Sequence, residues 1–251
     1  FTTGQEDDAW PVVPSDWVRA AQDRWKDHPA SKIFYSKEPY HGEYRPQMTS
    51  LGVDVSRGGQ DESILAPIYD HEFYDELEAI PGHMEPDGPS LGVEILKVRK
   101  DHCPVCVEAI GGGTSVVDWL EGHNIPVMAI SGNEKGVGRD SSGKCKYKNK
   151  RAQIHWEFRE SLDPKNNSRV CLPPDGQLLA DLCAARYKVL EGNIIQVESK
   201  PDLRKRLGRS PDRGDGVIYA SAEDQTMLTY NSMSSGVNVK KHKVKRASSW
   251  G

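Results

Sequence analysis

The stretch LGVDVSRGG (51–59) sets a carboxylate in the middle of an apolar strand. Leu51, Val53 and Val55 alternate with Gly52 and Asp54, and Gly58 and Gly59 follow at once. Taking an ionised carboxylate out of water costs several kcal/mol or more unless a counter-charge meets it. A fold built on this strand therefore has to bring something positive to Asp54. Two further sites share the pattern. Glu108 closes the low-charge run CPVCVEAI just before Gly111, Gly112 and Gly113. Asp212 and Asp215 are three apart in SPDRGDG, on one face of a helix. Carboxylates converging at one sheet edge raise one another's pKa unless a cation lies among them. Hard oxygen ligands with room for water suit Mg2+ or Mn2+. Two such ions roughly 3.5–4 Å apart can drive hydrolysis of a phosphodiester. The plainer alternative makes these residues capping or turn groups, as Asp212 would be at a helix start.

The surrounding pattern predicts a mixed α/β fold. Residues 15–28 carry apolar side chains at helical spacing behind Ser15, and 29–48 read as coil. Strands are expected at 51–56 and 63–69, with 74–82 continuing an antiparallel ribbon. Residues 88–100 read as a helix, 103–110 as a central strand, 111–123 as a glycine turn and helix, and 125–130 as a second buried strand. A polar loop (132–146), an amphipathic helix (149–162) and a hairpin through Gly192-Asn193 follow. Helices at 201–208 and 210–223 close the pattern.

Formal net charge is -4, which excludes a uniformly basic polyanion binder. Positive charge is local: 199–213 holds Lys200, Arg204 and Arg209, candidates for sequence-independent phosphate contacts, and 240–246 is a second basic run. No apolar run approaches the ~20 residues of a membrane span. Five widely spaced cysteines argue against a disulfide framework and for a reducing cytosol. GRDSSGKC (138–145) nearly matches a phosphate loop, but Cys145 replaces the hydroxyl residue that holds Mg2+. The single C-x-x-C at Cys103 and Cys106 has no matching second pair for zinc.

Several of these blocks, taken in order, resemble one family. LGVDVSRGGQDES resembles the first acidic motif of the C-terminal nuclease domain of the large terminase subunit of tailed bacteriophages. VCVEAIGGGTSVVDWLEGHNIPVMAISG resembles the second, and IQVESKPDLRKRLGRSPDRGDGVIYA the last, over about residues 8–223 in all. The resemblance implies an RNase H-like mixed central β-sheet flanked by helices, related to the Holliday-junction resolvases. It implies a metal-dependent endonuclease acting on concatemeric double-stranded viral DNA, with little sequence specificity. Asp54, Glu108 and Asp215 take the three catalytic positions, with Asp212 as a fourth metal ligand and two Mg2+ or Mn2+ ions as cofactors. Glu108 stands where Asp is frequent, and Gly214 and Gly216 where Ala is usual, which is expected to loosen the last helix. Asp61 is expected to serve a turn or an outer shell. The implied organisation is a linker at 1–48 after a missing ATPase motor domain, the nuclease at 49–223, and a basic, flexible tail at 224–251. Portal protein and the small terminase subunit are the implied partners. The isolated domain would be a monomer, and its place would be the host cytoplasm at the procapsid. Two other readings remain: a junction resolvase-like nuclease, or a non-catalytic module that docks on portal or the small subunit.

Overall fold

The computed structural model describes residues 9–56, 61–84 and 87–222. In chain order, β1 (Trp10–Pro11), α1 (Ser15–Asp27) and α2 (Pro29–Tyr35) lead into β2 (Met48–Asp54), β3 (Glu62–Tyr69), β4 (Phe73–Tyr74) and β5 (Glu78–Pro81). Next come α3 (Gly88–Val98), β6 (Val105–Glu108), α4 (Gly112–Gly122) and β7 (Val127–Ile130). The chain continues with β8 (Lys146–Tyr147), α5 (Lys150–Leu162), α6 (Gly176–Ala184), the hairpin β9 (Arg186–Leu190) and β10 (Ile194–Val197), α7 (Lys200–Leu207) and α8 (Asp212–Ser221). The main sheet runs β4-β3-β2-β6-β7, with β5 also on β3, and a small sheet runs β1-β9-β10-β8. Strands β2, β6 and β7 are mutually parallel, while β3 is antiparallel to β2. The result is the expected mixed sheet flanked by helices. Among the described residues no helix is long and apolar enough to cross a membrane.

Alternation along β2 decides what covers each face. Leu51 and Val53 point into one apolar cluster with Leu91, Ile95, Val116 and Leu120 of α3 and α4. Gly52 and Asp54 point the other way, toward α8. That side has no room for a Cβ: one added at Gly52 would stand 2.1 Å from the Gly216 carbonyl oxygen and 2.4 Å from the Ala220 nitrogen. Helix α8 thus lies with its backbone nearly on the strand, its residues Val217 and Ile218 in the second cluster.

Four local expectations are corrected. Pro29–Tyr35 is helical, because Pro29 suits a helix start and the His28 ring accepts from the Ala30 N–H. Within the expected linker, Trp10–Pro11 pairs with β9, and Val12 and Val13 are buried. Strand β7 lies at the sheet edge, with only Ile130 of its four residues buried. Gly214 and Gly216 serve tight packing: a Cβ on Gly214 would sit 2.9 Å from Asp181 Cβ, and one on Gly216 would sit 3.1 Å from Ile64 Cγ2. Helix α1 packs into both clusters through Val18, Ala21 and Trp25. The loop 132–146 runs into a strand rather than a helix, which removes the phosphate-loop geometry. Gly58, Gly59 and the tail 224–251 lie outside the described residues.

Gly52→Ala is expected to destabilise the fold by about 2 kcal/mol or more, since a methyl group would have to displace helix backbone rather than a side-chain tip. Urea denaturation measures this. A midpoint within error of the wild type would refute the close-approach account.

Candidate metal centre

Parallel pairing sets Leu51 beside Val105 and Val53 beside Val107. One further step puts Asp54 and Glu108 side by side at the C-terminal ends of β2 and β6, on the α8 face. Gly113 has no Cβ, and one built there would stand 1.8 Å from the Glu108 carbonyl oxygen, so α4 can begin directly behind that strand end. From above, α8 lowers Asp215 onto the same spot. Asp54 and Asp215 are buried, with side chains only 2% exposed.

The counter-charge that Asp54 requires is a lysine. Ser199 caps α7 by accepting from the Asp202 N–H, and Lys200 is the first residue of that helix. Its Nζ lies 2.7 Å from Asp54 Oδ1, 3.1 Å from Glu108 Oε2 and 3.1 Å from Asp215 Oδ2. Arg151 on α5 places Nη1 3.4 Å from Asp215 Oδ1 and donates through Nε to the Glu198 carbonyl. His155, one turn on, brings Nε2 to 3.7 Å from the same Oδ1 while its Nδ1 lies 2.9 Å from the Arg151 carbonyl.

Three carboxylates therefore face two cations, and the balance shows in their protonation. Burial pushes Asp54 well above the usual carboxylate range, opposed by Lys200 and reinforced by Asp215, Asp212 and Glu108. Burial would raise Asp215 too, but Lys200, then Arg151, overcome it and hold the carboxyl below its ordinary range. Burial disfavours the Lys200 ammonium, yet Asp54 and Asp215 raise its pKa well above the usual value. Burial, then Arg151, lowers His155 to about 4, so it is neutral at pH 7.

The donor set fits a hard divalent cation. All three groups offer carboxylate oxygens, an ammonium already stands where a cation would, and Asp215 Oδ2 accepts no well-directed hydrogen bond despite its closeness to Nζ. The oxygens are spread around a nitrogen rather than drawn in to ion-ligand distance. Among the described residues, no three acidic, His or Cys groups stand at the spacing of a closed metal shell. A Mg2+–oxygen distance of about 2.0–2.1 Å would require the group to contract by roughly 0.6–1 Å.

The expected residues fall into two sets. Asp54, Glu108 and Asp215 come together. Asp212 opens α8 half-buried and lines a cavity of about 400 Å³ with Lys200, Asp61 and Arg204. Of the candidate phosphate contacts, Lys200 is turned inward to the carboxylates, while Arg204 and Arg209 stay partly exposed (45% and 40%) and pair with Asp61 at 2.9 Å and Asp181 at 2.5 Å. Sequence reasoning missed Arg151 and His155, although their i, i+4 spacing on α5 was the available signal. It also missed Asp181, buried on α6. Burial pushes Asp181 up to about 6, and its Oδ2 accepts from the Arg213 and Gly214 N–H groups at 3.2 and 3.4 Å. Asp181 thereby caps the helix that carries Asp215, where Pro211 offers no side-chain cap.

No protein-family model and no curated protein sequence matches the chain. Solved structures do. The nuclease domain of the large terminase subunit gp2 of bacterial virus Sf6 aligns with TM-score 0.60 and 16% identity, over 85% of this chain and 99% of that one. A lysine-to-alanine mutant of that domain with manganese and beta-thujaplicinol aligns with TM-score 0.60 and 15% identity, over 85% and 99%. A mutant of the same kind with calcium gives TM-score 0.60 and 15% identity, over 85% and 100%. At these identities the likeness establishes a shared fold: the chain has the RNase H-like architecture of those nuclease domains.

Lys200→Ala tests the balance of charge. In metal-free buffer the variant should lose about 3–5 kcal/mol, the cost of leaving buried charges unpaired. Added Mn2+ or Ca2+ should then raise its melting temperature more than that of the wild type. Equal shifts in the two proteins would contradict the ammonium's role as resident cation.

Proposed function

We propose that the chain is a metal-dependent DNA endonuclease domain of a viral genome-packaging terminase. The observation that carries the reading is the gathering of Asp54, Glu108 and Asp215, from three distant chain segments, within 3.1 Å of one ammonium at the C-terminal edge of a central sheet. The shared fold supports it, as do the manganese and calcium in the related mutant structures.

In this reading Asp54, Glu108 and Asp215 hold Mg2+ or Mn2+. Asp212 joins them as a fourth ligand, one turn before Asp215, and two ions are held in all. Bound there, the ions would supply Lewis acidity toward a water and a phosphodiester oxygen. The chain's own groups do the rest. Arg151 and His155 fix the orientation of Asp215 and, after Lys200, help to keep it ionised, with Oδ2 turned toward the place of the cation. Asp181 holds α8 at the depth that this requires. Lys200 would have to give up its place among the carboxylates to a bound cation, and its side chain already borders the cavity lined by Asp61 and Asp212. No protein nucleophile is needed. Cutting would have little sequence preference, because the contacts expected with DNA are to its phosphates rather than to base edges. Concatemeric double-stranded DNA is the proposed substrate, with portal protein and the small terminase subunit as partners at the procapsid in the host cytoplasm.

Asp54→Asn should abolish cleavage of plasmid DNA in Mn2+, by at least a hundredfold, with an unchanged circular dichroism spectrum. Retained cleavage would sink the assignment. Faster cutting of four-way junctions than of linear duplex by the wild type would move the reading to a junction resolvase.

A further inference from the structure

The small sheet has one apolar and one basic face. On β9, Tyr187 turns inward against Trp156, while Arg186 and Lys188 on either side are exposed. On β8, Tyr147 is buried and Lys146 is exposed, and Lys148 continues the alternation, its N–H bonded to the Ile195 carbonyl. Strand β10 lies between the two, with Gln196 opposite Lys188 on the same face. Period-2 spacing sets the cations on each strand roughly 7 Å apart, and the two strands roughly 10 Å apart. Among the described residues none of these four cations forms an ion pair with an acidic side chain. Of the acids near this face, Glu198 is taken by Arg206 at 2.7 Å and Asp202 accepts from the Ser199 hydroxyl at 2.6 Å. Lys148, Arg186 and Lys188 line a cleft of about 830 Å³ whose other wall includes Glu108, Lys200 and Tyr219.

We propose that this face binds the phosphate backbone of a nucleic acid and delivers it to the carboxylate centre; the proposal rests on the nuclease reading and names its substrate-binding surface. Lys200, Arg204 and Arg209 already have acidic partners, whereas the sheet cations have none among the described residues. Four exposed charges on a rigid two-dimensional grid match a polyanion whose charges repeat every 3.4 Å along each strand. Continuity with the centre through one cleft separates this patch from an ordinary solvated surface.

The test measures binding of a short labelled duplex by fluorescence anisotropy, in EDTA so that nothing is cut, across a salt series. The triple variant Lys148→Gln, Arg186→Gln, Lys188→Gln should bind at least tenfold more weakly near 0.1 M salt. Its slope of log affinity against log salt should be shallower by roughly 2–3 units, at about 0.9 for each phosphate that is no longer neutralised. Lys97→Gln, at an exposed position of α3 away from the small sheet, should leave the slope unchanged. The exposed positions predict an unchanged melting temperature for both. An unaltered slope in the triple variant, an equal loss in Lys97→Gln, or equal weakening toward poly-glutamate would overturn the proposal. If the wild type cuts DNA while the triple variant keeps its slope, this surface fails and the nuclease reading stands. If binding depends on the face but no divalent ion supports cutting, the surface stands and the nuclease reading fails.

Discussion

Asp54, Glu108 and Asp215 repel one another, and two of the three are cut off from water. Lys200 Nζ, 2.7 to 3.1 Å from each, offsets that repulsion without removing it, since among the described residues the three carboxyl groups meet this ammonium and the Arg151 guanidinium. The rest of the molecule is arranged around that residual imbalance. Breaking one member of a buried ion cluster costs far more than the cluster contributes net. So the elements bearing these residues are held from several sides: β2 and β6 by parallel pairing, α8 by the Gly52 and Gly216 contacts, and α7 by its Ser199 cap.

The same arrangement separates two kinds of work on Asp215. Oδ1 faces Arg151 and His155, fixed groups that orient the carboxylate and, after Lys200, help to hold it ionised. Oδ2 faces Lys200, whose long stem can rotate away. A neutral His155 suits the first task, because a second full positive charge would compete with a cation for the carboxylate. Its pKa of about 4 follows from burial beside Arg151. Asp181 contributes at one remove, through the N–H groups of α8, and Gly214 is what lets α6 come close enough for it to reach them.

Much of this was legible in the sequence, because strand and helix patterns are local. LGVDV announced both the strand and the burial of its carboxylate, and the glycines after Glu108 marked where the next strand ends. The three carboxylates, taken with the resemblance of several ordered blocks, pointed to one site. What stayed hidden depends on approach between distant segments. Lys200 sat in a run of basic residues that reads as a solvated face, and only the path of α7 aims it inward. Gly214 and Gly216 look like weak helix formers by propensity, yet the contacts they permit with Asp181 and Ile64 set the helix depth. The segment Pro29–Tyr35 read as coil because its Tyr and Lys conceal a short helix whose Ala30 is buried.

Net charge was the least informative global quantity. At -4 it describes an acidic protein, yet the carboxylates that matter are buried or half-buried and internally paired. A charged ligand responds to exposed groups within about 8–10 Å at ordinary salt, not to a sum over the chain. On the small sheet those groups are lysines and an arginine, set by the alternation that buries Tyr147 and Tyr187. A backbone held there would meet Glu108 in the same cleft, where like charge disfavours closer approach. Cations bound by Asp54, Glu108 and Asp215 would reverse that sign. Under the nuclease reading, the metal ions would therefore bind substrate as well as activate it, and an empty centre would hold DNA at the basic face without drawing it in.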